Sequence, residues 1–179
     1  MSNPSVLLLG ARSDIAIAIA HRFAREGYNI LLASRKSKKL EIDRVDIELR
    51  YGVIVTTHEF DALSTSTHDT FLNSLPNIPN IAVCAVGRMG AQSDSQKNIE
   101  TAIKVLRTNF EGPLSIIGHI ANQFENVGSG TIVGISSVAG ERGRAKNYIY
   151  GSAKAGFTVF LSGLRNRLSQ KGVHVLTVL

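Results

Sequence analysis

The 179 residues contain no tryptophan, one cysteine, two methionines and four prolines. A lone Cys84 excludes an intrachain disulfide and a cysteine-built metal site, and it suits a reducing compartment. His21, His58, His68, His119 and His174 are scattered, and with no Asp or Glu clustered beside them they offer no metal site. No apolar run approaches the ~18 residues needed to span a bilayer. The start lacks the charged region, apolar stretch and cleavage site of a secretory signal, so a soluble cytoplasmic protein is expected. Charge is sparse at 19%, which fits a chain with several buried strands. The net charge of +6 could point to a nucleic acid, a membrane surface or a phosphorylated ligand. Apart from Arg35, Lys36, Lys38 and Lys39 the basic residues are dispersed, and no basic stripe interleaves with aromatics, so no nucleic-acid partner is expected. Internal repeats, linkers and low-complexity tracts are missing too, and residues 1–179 read as one domain.

What is present is an alternation of short apolar runs with longer amphipathic segments. The runs at 5–9, 29–33, 53–57, 81–86, 131–135 and 173–179 read as strands. Helices are expected over 14–26, 37–50, 67–75, 95–126 and 148–170. Ile15, Ile19 and Phe23 set the period of the first helix, and Gly27 stops it. Leu40, Val45 and Leu49 are expected to face inward from the second, and Gly112-Pro113 to bend the long fourth. Near-continuous apolar strands alternating with helices predict an α/β fold: a doubly wound, Rossmann-type parallel sheet covered on both faces.

The first strand ends in Gly10-Ala11-Arg12-Ser13-Asp14-Ile15-Ala16, and a helix starts inside that run. Such a turn presents free backbone N–H groups and the positive end of the helix dipole, both of which favour a pyrophosphate. Asp14 is suited to N-cap the helix, and its charge would oppose a phosphate unless it points away. An ordinary strand-to-helix turn with an Asp cap fits the same residues. After the second strand a dinucleotide fold usually places an acid for the adenosine ribose hydroxyls. Here the strand ends in Ser34-Arg35-Lys36. A hydroxyl and two cations suit a 2′-phosphate, hence NADP over NAD, with Arg12 placed to reach the same group. The alternative is a solvated basic start to a surface helix.

Tyr150-Gly151-Ser152-Ala153-Lys154 stacks a phenol and an ammonium at i and i+4 on one helix face. A phenol of pKa about 10 is a poor base at neutral pH, and a nearby cation favours its ionised form. Ser137, 13 residues before Tyr150, ends the fifth strand, where its hydroxyl can polarise a carbonyl or carbinol oxygen. Tyr-x-x-x-Lys alone arises by chance in many helices. The run Gly130-Thr131-Ile132-Val133-Gly134-Ile135-Ser136-Ser137-Val138-Ala139-Gly140 followed by Tyr150 and Lys154 is far harder to obtain so.

That region resembles the active site of the classical short-chain dehydrogenase/reductase family, and the resemblance extends along all 179 residues. It implies NADP-dependent hydride transfer between nicotinamide and a small-molecule carbonyl or alcohol. Tyr150 would be the acid/base, and Lys154 would tune it and hold the ribose. Ser137, selected over Ser136 by the family's spacing, would hold the reacting oxygen. Asn109 would support a lysine-linked water chain. Positions 10, 14 and 16 match the family's glycine turn, although Asp14 and Ala16 replace two of its glycines. Asp61-Ala62 resembles its adenine-contacting pair, and an ordinary surface Asp fits nearly as well. Cys84-Ala85-Val86-Gly87 stands where the family commonly has Asn-Asn-Ala-Gly, with Cys84 expected in the core. The implied cofactor site comprises Gly10, Arg12, Ser13, Asp14 and Ile15, then Ser34, Arg35 and Lys36, then Asp61 and Ala62. Ala85, Val86 and Gly87 complete it, together with Tyr150 and Lys154. Ile135 to Arg142 with Asn147 to Gly151 is especially similar to the ketoreductase partner of the decaprenylphosphoryl-ribose epimerase, which implies a sugar-like ketone. The family's substrate loop and seventh strand would follow residue 179, so a C-terminally shortened domain is expected. The rival reading is a non-catalytic nucleotide-binding or assembly module. The resemblance also implies a homodimer or homotetramer paired through the two longest helices.

Overall fold

The computed structural model describes residues 3–179. The chain runs β1 (Ser5–Leu9), α1 (Asp14–Arg25), β2 (Asn29–Ser34), α2 (Glu41–Tyr51), β3 (Val55–Glu59), α3 (His68–Asn73) and β4 (Ile81–Cys84). It continues through α4 (Gln92–Ser95), α5 (Ile99–Leu106), α6 (Gly112–Val127), β5 (Gly130–Ile135), α7 (Tyr148–Leu168) and β6 (Val173–Val178). The six strands pair in parallel in the order β3-β2-β1-β4-β5-β6. The strand order changes direction between β1 and β4, and a crevice opens outside the carboxyl ends at such a point.

All five residues of β1 are buried, as a central strand covered on both faces requires. The period-2 alternation divides its side chains between two cores. Leu7 and Leu9 join Ala82 and Cys84 beneath Ile116, Ile120 and Phe124 of α6 and Phe157 and Leu161 of α7. Val6 and Leu8 join Leu32 and Val83 beneath α1 and α2. Among the described residues no helix is long and apolar enough to cross a membrane.

Several element details differ from the sequence reading. In α1 the buried face is Ala16, Ala20 and Ala24, one position on from Ile15, Ile19 and Phe23, and Ile15 is exposed. Small side chains let the helix approach the sheet closely. In α2, Leu40 is buried as expected, but Ile47 is the inward residue and Leu49 is 82% exposed. The cause is a separate 3-10 turn at Ser37–Leu40, which shifts the helix start to Glu41 and rotates the later residues relative to a continuous helix. The third strand lies two residues later than expected, and the fourth stops at Cys84. The long helix expected over 95–126 starts at Ile99 and runs without a gap to Val127, with a π-helical turn at Arg107–Glu111 joining α5 to α6. Pro113, which has no N–H to donate back into the helix, follows just after that π-helical turn.

Candidate active site

Gly10 opens the crevice. Its φ of +83° lies in the left-handed region, and a Cβ there would come within 2.9 Å of the Val86 amide nitrogen. Only glycine lets β1's exit lie this close to β4's. The amides of Gly10 and Ala11 both donate to the Ala33 carbonyl, which ties the turn to β2. The cap of α1 is Ser13, whose Oγ accepts from the Ala16 amide at 3.1 Å. Asp14, expected as the cap, is instead the first helical residue and is exposed. The neutral Ser13 takes the capping position, so the Asp14 carboxylate in the first turn is not the group that accepts from the helix amides.

A cleft of about 230 Å³ extends from this turn. It gathers Gly10, Arg12 and Ser13 from the turn, Ser34 and Arg35 from the end of β2, and Asp61 and Ala62 beyond β3. Ala85, Val86 and Gly87 beyond β4 close it. Asp14, Ile15 and Lys36 lie outside its lining, as do Asn109, Ser137, Tyr150 and Lys154. Phe60, Leu63, Arg88 and Thr108 line it without having been singled out in the sequence. Their signal was position alone: each neighbours a residue that was.

The acid that β2 lacks arrives from the adjoining strand. Glu59 is the register partner of Ser34, and its carboxylate accepts from the amides of Lys36 at 2.7 Å and Ser37 at 2.8 Å. These bonds hold its carboxyl below the usual range and stabilise Lys36 at a φ of +58°. No ion pair among the described residues involves Arg12, Arg35 or Lys36.

Lys154 is 3% exposed. Its Nζ donates to the Ile135 carbonyl at 2.9 Å and stands 5.9 Å from the Tyr150 ring centroid. Burial pushes its ammonium below the ordinary lysine value. Ser136 and Ser137 divide their work. The buried Ser136 bonds the Lys154 carbonyl and the Thr158 hydroxyl, securing α7 to β5. The half-buried Ser137 accepts from the Ala139 amide at the start of a short turn. α7 reaches that turn because residue 151 has no side chain: a Cβ on Gly151 would lie 2.4 Å from the Ala139 carbonyl oxygen.

Asn109 is fully buried in the π-helical turn. Its Oδ1 accepts from the Arg88 amide at 3.0 Å, and its Nδ2 donates to the carbonyls of Arg88 and Val105. A Cβ on Gly87 would stand 3.2 Å from Asn109 Oδ1 and 3.7 Å from Lys154 Nζ. Gly87, at one end of the cleft, therefore abuts both. Cys84 is buried, and its thiol is pushed up to about 11 by desolvation. That makes it an inert core residue.

The sequence profile of the short chain dehydrogenase family matches residues 4–179. The chain belongs to that family. An uncharacterized oxidoreductase of Mycobacterium tuberculosis is 35% identical over 174 residues, covering 96% of this chain and 70% of the relative. The ketone-specific alcohol dehydrogenase of Comamonas testosteroni superposes with a TM-score of 0.89 at 25% identity, over 99% of this chain and 72% of that one. A short-chain dehydrogenase of Sphingobium yanoikuyae, solved with NADPH, gives 0.85 at 26% identity, over 97% and 69%.

As a short-chain dehydrogenase the protein is an NAD(P)-dependent oxidoreductase, and its residues fit a dinucleotide. The cradle at Gly10 would be filled by any Cβ, and Arg12 and Arg35 stand at the cleft without acid partners among the described residues. The family's two asparagines before Gly87 are absent, and Asn109 from the π-helical turn holds the Gly87-Arg88 backbone.

Proposed function

We propose that the chain is an NADP-dependent reductase or dehydrogenase of a small-molecule carbonyl/alcohol pair, with Ser137, Tyr150 and Lys154 as its catalytic group. The observation that carries this reading is the Lys154 ammonium. It is buried, yet among the described residues only one of its three donors has a protein acceptor, the Ile135 carbonyl. Burying a cation with unmet donors is unfavourable unless a ligand completes them. Ribose hydroxyls would do so, and Gly87 leaves the approach open.

The nicotinamide cofactor, when bound, supplies or accepts the hydride. In the reductive direction Ser137 holds the substrate's carbonyl oxygen and Tyr150 gives it a proton. In the oxidative direction Tyr150 takes the proton from the hydroxyl. Lys154 offers positive charge beside the phenol as the proton moves, and Asn109 supports a water path for proton resupply. Gly10, Ser13 and the first amides of α1 receive the pyrophosphate; Asp14 and Ile15 contribute backbone there. Arg12, Ser34, Arg35 and Lys36 receive the 2′-phosphate. Asp61 and Ala62 meet the adenine, while Ala85, Val86 and Gly87 flank the nicotinamide side. NADP is favoured over NAD because Glu59 is engaged by two backbone amides, whereas the nearby cations have no carboxylate partner among the described residues.

The chain forms a single NAD(P)-binding domain in this reading, and it pairs with copies of itself. Ile99, Ile103 and Leu106 make an exposed apolar stripe on α5, and Val159 is exposed on the neighbouring α7. A sugar-like ketone is the proposed substrate class. Tyr150→Phe should abolish ketone reduction, by about a hundredfold or more, while NADPH binding remains. Retained turnover would overturn the catalytic assignment and favour a nucleotide-binding module.

A further inference from the structure

Two buried polar atoms among the described residues have no hydrogen-bond partner: Gln92 Nε2 and Asn147 Oδ1. One is a donor on α4 and the other an acceptor on the N-cap of α7, and the Ile149 amide of α7 joins the two elements by donating to Gln92 Oε1. Asn147 is that N-cap. Asparagine is among the best N-cap residues because its side-chain oxygen accepts from the amides one turn in. Here it makes no such bond. The helix amide at Ile149 turns instead to Gln92 Oε1, at 3.4 Å, from α4. Gln92 thus supplies the cap from another element, which leaves the Asn147 oxygen unused and its own Nε2 unpaired.

The location gives these orphans meaning. Asn147 caps α7 and Tyr150 is the third residue of that helix, so both stand at its first turn. Gln92 lies four residues after Arg88, on the chain leaving β4 past Gly87. A buried donor or acceptor without a partner costs free energy, and native chains rarely retain one without a role. We infer that Asn147 Oδ1 and Gln92 Nε2 form a hydroxyl-recognising pair beside Tyr150, which selects substrates bearing a hydroxyl next to the reacting carbon. Such a hydroxyl donates to Asn147 and accepts from Gln92, satisfying both atoms at once. The substrate class is then an α-hydroxy ketone and its vicinal diol. This inference rests on the oxidoreductase reading given above and deepens it.

The test uses the protein saturated with NADP⁺ and titrated calorimetrically with trans-1,2-cyclohexanediol and, separately, cyclohexanol. The diol should bind about tenfold to a hundredfold more tightly, since a site built for a hydroxyl rejects the analogue lacking it. Asn147→Ala removes the acceptor without removing a cap, and Gln92→Glu keeps the oxygen that caps Ile149 while removing the donor. Each should erase the preference, and Asn147→Asp, which keeps an accepting oxygen, should retain it. Thermal melts of the three variants confirm that they fold. Equal binding of the two alcohols, no binding of the diol, or a preference that survives both Asn147→Ala and Gln92→Glu would overturn the inference; a water bridging the amides would then satisfy them. Failure to bind NADP⁺ at all would instead strike the cofactor reading.

Discussion

Lys154 combines two opposed demands: its helix position buries it, and its charge asks for partners. In the folded chain its ammonium ionises at a lower pH than in the unfolded chain, chiefly through desolvation. Over the interval below the ordinary value of 10.5 the unfolded state therefore binds more protons than the folded one. Stability from this residue rises as pH climbs through that interval, and the desolvation penalty is fully present below it. Lys154→Met should abolish turnover while lowering the melting temperature by no more than a few degrees near neutral pH, and it should flatten the alkaline rise. Paired melts from neutral to alkaline pH check this; a large loss at neutral pH would mean that the lysine is chiefly structural. Gly10→Ala places a side chain at a φ of +83° and against the Val86 amide. The left-handed backbone alone costs about 1–2 kcal/mol. Chemical denaturation should show at least that loss, and NADPH affinity should fall with it.

At the scale of elements, α2 offers the clearest contrast. Ile47→Ala removes a fully buried side chain and should cost about 2–5 kcal/mol. Leu49→Ala, at a site 82% exposed, should change stability by less than about 0.5 kcal/mol. Reversed costs in urea unfolding would contradict the placement of the helix. On α5, Ile103→Asp should shift the protein from dimer or tetramer to monomer in sedimentation; an unchanged mass would set aside pairing through that stripe. These elements also mark what could be read from the sequence. Apolar runs and glycine stops located all six strands, because strands buried on both faces leave an unmistakable pattern. The period of Ile15, Ile19 and Phe23 marked α1 as a helix, and the alanines that share this period form its fully buried face, while Ile19 and Phe23 pack at the edge of the core. Within the 95–126 segment the sequence marked an irregularity at Gly112-Pro113, but the π-helical turn just before it was not legible. Its cause is tertiary: Asn109 bonds the backbone of Arg88, 21 residues away in sequence. Glu59 was missed for the same reason, since its role depends on the register of β3 against β2.

At the scale of the whole molecule, the sheet's change of direction between β1 and β4 opens a cleft lined by arginines and glycines from the loops beyond four strands, while α7 carries the buried Lys154 outside that lining. The proposed catalytic group rests on spacing within a family-like context. The cleft's residues were legible in part, because lining a cavity depends on loops that converge only in three dimensions. The central claim is a working NADP site in this chain, and a fluorescence titration of the purified protein with NADPH and NADH tests it directly. The account predicts saturable NADPH binding that is tighter than NADH binding, with the preference reduced about tenfold or more by Arg35→Ala. Failure to bind either nucleotide, or tighter binding of NADH, would contradict it.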